Sequence, residues 1–146
     1  MKLRNIISSF IGCKINKLIA GGENGSIIII ETNHSDEAYF EIGCSWRLRK
    51  NNLCLCTSID TPSKIKQQIN IVYNLKISNI ILRACNDLVI HFENDISIDV
   101  FCDQTNDAAI VSVYDYIAEN WSIIFPKQNK CYTIDGEMEI IESSYE

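Results

Sequence analysis

Residues 39–49 read YFEIGCSWRLR, and their alternation decides the class of fold. Phe40, Ile42, Cys44, Trp46 and Leu48 fall on one side of an extended chain, and Glu41, Ser45, Arg47 and Arg49 on the other. A period of two marks a strand with one face in a core and the other toward solvent. Asn51-Asn52 then turns the chain into a second extended run, Leu53–Ser58.

The same reading extends outward in both directions. Upstream, residues 13–32, CKINKLIAGGENGSIIIIET, form a hairpin whose turn draws on Gly21, Gly22 and Gly25 for positive φ. The run Ile27–Ile30 is apolar on both faces, which predicts a central or doubly covered strand. Asn33 to Glu37 is a polar loop. Downstream, Asp60 or Thr61 caps a helix with Pro62 in its first turn and Ile65, Ile69, Val72 and Tyr73 as its apolar stripe, ended by Asn74. A strand at Ser78–Cys85 follows, then a hairpin at 86–103, NDLVIHFENDISIDVFCD. Residues 106–120 carry Ile110, Val113, Tyr114 and Ile117 at helical spacing, so a helix is favoured there over a strand. The chain closes with strands at Trp121–Phe125, Lys130–Ile134 and Glu137–Ile141, the last two joined at Asp135-Gly136. The sum is an α+β fold, a single domain over residues 1–146. It has a mostly antiparallel sheet of about eight strands and two or three helices.

The N-terminus begins with charge and turns apolar, as a secretory leader does. Ser8 and Ser9 interrupt the apolar stretch, however, and no small-x-small cleavage site follows. Leu3, Ile6, Ile7 and Phe10 instead predict a short helix, with Gly12 just past its end. Seven cysteines, none in a CxxC pair, sit mostly in apolar runs and suit reduced core residues of a cytoplasmic protein. Cys54 and Cys56 are expected on one face of a strand, where packing outweighs metal ligation. The net charge of −6 is unevenly distributed. Residues 1–83 hold eleven Lys/Arg against six Asp/Glu (+5), and residues 84–146 hold two against thirteen (−11). Nucleic-acid binding through the acidic half is not expected, because phosphate contacts need Lys and Arg. Trp46 has core parity and is no base-stacking platform beside Arg47, Arg49 and Lys50. No apolar run approaches the ~20 residues that a membrane span needs.

The hairpin at 86–103 collects the candidate site. Leu88, Ile90, Phe92, Ile96, Ile98, Val100 and Cys102 share the inward parity. Asp87, His91, Glu93, Asp99, Phe101 and Asp103 share the outward one, with Asp95 at the turn. Paired carboxylates beside a histidine suit general acid–base work or a weak divalent metal site, but alternate acidic residues also solvate an exposed sheet face. No GxSxG or cysteine-nucleophile context accompanies His34 or His91. Gly21 to Gly25 lacks the Lys-Ser/Thr ending of a phosphate-binding loop. No catalytic residue, metal or cofactor is therefore expected, and a binding role through an acidic surface leads. Phe101, alone among charges, is its candidate apolar anchor. A small hydrolase or metal-dependent enzyme using the Asp/His face is the alternative.

Several features recur in a familiar order: Cys44-x-Trp46-Arg47, Ser58-x-Asp60 before a helix, Asp87-Leu88-x-x-x-Phe92, Ile98-Asp99-Val100-Phe101 and Trp121-Ser122-Ile123. Over roughly residues 40–125 the chain resembles small bacterial proteins that include immunity proteins of polymorphic-toxin and contact-dependent growth inhibition systems. Residues 104–120 are an insertion relative to the compact pattern, and no residue role is carried over. The resemblance implies a cytoplasmic, non-enzymatic protein whose partner is a cognate toxin domain, often a nuclease with a basic cleft. It implies neither nucleic-acid nor membrane binding.

Overall fold

The computed structural model describes residues 2–102, 121–134 and 140–144. Helix α1 (Lys2–Ser8) leads into β1 (Ile15–Ile19) and β2 (Ile28–Thr32), which pair antiparallel around the glycine-rich turn. Next come β3 (Tyr39–Ile42), β4 (Ser45–Lys50), β5 (Leu53–Thr57), α2 (Pro62–Ile69) and β6 (Ile77–Leu82). The hairpin β7 (Leu88–Phe92) and β8 (Ile96–Phe101) is followed by β9 (Trp121–Phe125), β10 (Lys130–Ile134) and β11 (Ile140–Ser144). The expected helix over 106–120 and the Asp135-Gly136 turn lie outside the described residues.

The fold is α+β and antiparallel as expected, but the sheet is not one. Six strands in the order β1-β2-β3-β9-β10-β11 form one sheet, and five in the order β5-β4-β8-β7-β6 form a second. Eleven strands form where about eight are expected, and residues 39–49 supply two of them, not one. The chain leaves the first sheet after Ile42 and enters the second at Ser45, with Gly43 and Cys44 as the corner. Inward parity survives the crossing: Phe40, Ile42, Cys44, Trp46 and Leu48 are all buried. An unbroken period of two cannot reveal such a change of sheet, since both halves face the same core.

That core is one continuous cluster drawing on both sheets and both helices. Its two tryptophans tie the sheets together reciprocally. The Trp46 indole N–H on β4 donates to the Ser26 carbonyl ahead of β2 (2.7 Å), and the Trp121 indole N–H on β9 donates to the Asn86 carbonyl ahead of β7 (2.7 Å). Each ring is thus buried with its one polar group satisfied. Strand β2 is central, as its apolar run predicts, with Ile28 and Ile30 fully buried and Ile29 half-buried.

Helix α2 forms where its signals place it. The Thr61 hydroxyl accepts from the Lys64 amide, Pro62 opens the first turn, and Ile65, Ile69 and Val72 are buried. Tyr73 departs from the predicted stripe and is exposed, because its backbone turns extended after the short 3₁₀ segment 70–72 and Asn74 takes a positive φ of 69°. The Gly21 turn lies directly against the α2 backbone at Pro62 and Lys66. Helix α1 buries Leu3 and Ile7 and leaves Phe10 packed on Phe40 and Phe125. Among the described residues no helix is long and apolar enough to cross a membrane.

Candidate functional site

The outward face of the five-stranded sheet carries the predicted site residues. Strand register sets two transverse rows across it. Arg47 on β4 faces Asp99 on β8, which faces Val89 on β7, and one step along the strands Arg49 faces Ser97, which faces His91. Phe101 lies two positions beyond Asp99 on the same face, opposite Ser45.

This register corrects the picture of a solvated acidic row. Asp99 is buried, its side chain 7% exposed, and both Arg47 and Arg49 are bonded to it. Arg47 donates Nε–H to Oδ2 (2.9 Å), and Arg49 donates Nε–H to Oδ2 (2.8 Å) and an Nη2 hydrogen to Oδ1 (3.1 Å). Burial alone would raise the Asp99 carboxyl, but the hydrogen bonds and charges of the two guanidinium groups outweigh it and hold the group below the usual carboxylate range. The hydrogen bond to Asp99 likewise raises Arg49, against a smaller opposing effect of burial.

The other candidates are also engaged locally. Asp87 is half-buried, and its Oδ1 accepts the Cys102 amide (2.7 Å), joining the start of β7 to the end of β8. Glu93 is exposed at the hairpin tip, and its Oε1 accepts the Lys76 amide (2.8 Å). His91 is half-buried with Nδ1 2.9 Å from the Ser97 hydroxyl. Burial, then the charges of Arg49 and Arg83, lower its pKa against the opposing pull of Asp99, so its neutral form is favoured near neutral pH. Phe101 is half-buried, with the Arg47 guanidinium carbon 5.3 Å from its ring centroid, a cation–π distance. Asp103 lies outside the described residues.

Between these groups lies a cavity of about 440 Å³, lined by Arg47, Arg49, Arg83, Asp87, Asp99 and Phe101, together with Asn52 and Cys54. Three arginines against two aspartates leave one positive charge in its wall, the opposite sign to the expected surface. Sequence reasoning missed Arg83 altogether. Strand alternation places Arg47 and Arg49 outward without pairing them to Asp99, because parity gives a residue's face and only register gives its neighbour.

The cysteine expectation also changes. A bulge sets Cys56 opposite Leu48 and Cys54 opposite Arg49, so consecutive pairs absorb three residues of β5. Cys56 is therefore buried and Cys54 exposed, rather than both on one face. Burial pushes the Cys56 thiol up to about 11. Native-state alkylation read by mass spectrometry is expected to modify Cys54 and Cys85 rapidly and to leave Cys44, Cys56 and Cys102 intact until the chain is unfolded. Fast labelling of Cys56 alongside Cys54 would contradict the bulged register.

Among the described residues no group of three or more His, Cys, Asp and Glu side chains converges as a metal site requires. Comparison of the chain with protein-family models, with curated proteins and with solved structures gives no match.

Proposed function

We propose that this chain is a non-catalytic, immunity-type protein of the bacterial cytoplasm that binds and neutralises a cognate toxin domain, with the outward face of the five-stranded sheet in the contact. The observation that carries the reading is the Arg47–Asp99–Arg49 network with Phe101 beneath Arg47. Arginine and aromatic side chains dominate the energetics of protein interfaces, and groups already held by internal bonds lose little freedom on docking. Asp87, Glu93 and His91 each serve an internal hydrogen bond, which favours a positioning role over proton transfer to a substrate. Glu93 and Asp95 stand exposed at the hairpin tip. With the −11 balance of residues 84–146, they suit a partner with a basic cleft, as a nuclease has.

The test is co-purification with the C-terminal domain of the protein encoded immediately upstream, followed by affinity measurements at rising salt. A stable complex that suppresses the toxin's activity and weakens with salt is expected. No complex with such a domain would sink the proposal.

One observation favours a second reading, a small hydrolase. The His91–Ser97 distance of 2.9 Å is that of a base and its nucleophile, although Ser97 is only 3% exposed. Alanine at His91 together with Asp87 separates the two readings, since an enzyme loses its turnover while a binder loses affinity only modestly.

A further inference from the structure

We propose that the cavity between Arg47 and Arg83 receives an acidic side chain of the partner protein, an inference that rests on the binding reading above. The three arginines of the cavity are unequally engaged. Arg49 gives Nε and Nη2 to Asp99 and Nη1 to the Asn51 carbonyl. Arg47 gives Asp99 only its Nε–H, so its two Nη groups have no acceptor among the described residues. The exposed Arg83 guanidinium has none there either. These solvated donors line the cavity and are available to an acceptor carried in by a partner.

The shape of the site selects the acceptor. The Arg47 guanidinium carbon lies over the Phe101 ring at 5.3 Å, and its two Nη groups remain for bidentate hydrogen bonds to a carboxylate. Because Asp99 and Phe101 already orient Arg47, little side-chain freedom is lost on binding. Asp87 and Asp99 stand in the same wall and repel an extended polyanion, as does the chain's net charge of −6. A nucleic-acid groove needs a stripe of cations tracking many phosphates, whereas this cavity has one uncompensated positive charge. One or two carboxylates of an extended acidic segment match it.

The experiment follows the arginine Nε–H resonances by ¹⁵N NMR while the whole chain is titrated with a peptide of alternating Glu and Ser. Inorganic phosphate and a single-stranded oligothymidylate serve as separate arms. Saturable movement of Arg47 and Arg83, with Arg4 unmoved, is the expected result. Arg83→Gln, at a side chain with no described partner, should weaken peptide binding about tenfold, and Arg83→Lys should recover part of it. No movement overturns the inference. So does phosphate saturating the same resonances as tightly as the peptide, or tighter binding of the oligonucleotide. A complex with the toxin domain that Arg83→Gln leaves unchanged overturns this inference while the binding reading stands. Peptide binding that depends on Arg83, with no toxin complex formed, supports the cavity's chemistry and overturns the toxin reading.

Discussion

Alanine at Gly21 is expected to destabilise the protein by about 3 kcal/mol, summing a left-handed backbone penalty of ~1 kcal/mol and an overpacking penalty of ~2 kcal/mol. Gly21 has φ 74°, where a Cβ is strained in any surroundings. Its surroundings are also closed. A Cβ there would press on the Lys66 amide nitrogen and lie 2.5 Å from the Pro62 carbonyl oxygen and 2.8 Å from the Lys66 Cα. These are backbone atoms of α2, so no rotamer change relieves them, and the turn and helix must separate.

Gly22 is the built-in control. Its φ is 55°, but the nearest atom to an added Cβ is the flexible Lys66 Cδ at 3.6 Å. Gly22→Ala should therefore lose only the backbone part, about 1 kcal/mol. Urea denaturation of both variants reads the difference directly. Equal, small losses at the two positions would mean that the turn does not rest on α2.

Asp99→Asn is expected to remove about 2 kcal/mol at neutral pH, less than the 3–5 kcal/mol typical of breaking a buried pair. The reduction reflects solvent screening of Arg47, whose side chain is 46% exposed, while Arg49 at 26% is better shielded. The amide keeps the shape but removes the charge and replaces one acceptor oxygen with an N–H donor, so at least one of the three guanidinium hydrogen bonds is lost. The pH dependence has a definite sign. A carboxyl held below its ordinary value contributes stability that is fully present above the unfolded-state pKa, about 3.9, and is lost as pH falls through the lower folded value. Wild type should thus lose a contribution on its acid limb that Asp99→Asn lacks at every pH. Denaturation midpoints from neutral to acid pH test this, and a variant as stable as wild type at pH 7 would return Asp99 to a solvated surface role.

This experiment also bears on function. Were Asp99 an exposed interface acid, its neutralisation would lower partner affinity and leave folding stability nearly untouched. From its place between Arg47 and Arg49, stability should fall first. Any loss of affinity should follow from the release of Arg47 from its position over Phe101.

Residue order alone was enough to define the antiparallel α+β character, the inward set of the β7–β8 hairpin, the start of α2 at Pro62 and the central place of β2. Each of these rests on a local rule: strand periodicity, capping, or the conformational freedom of glycine at a turn. Tertiary structure decided which neighbour each outward residue meets. Parity put Arg47, Arg49 and Asp99 on outward faces, and the β4–β8 register made them one buried network. It also split residues 39–49 between two sheets and turned Cys54 away from Cys56. Long-range pairing sets the distance between charges, and with it the sign of the field on a face. A face predicted to be acidic from its own hairpin therefore holds a cavity with an excess of arginine, contributed by strand β4, 50 to 52 residues before Asp99 in the chain, and by Arg83 beside it.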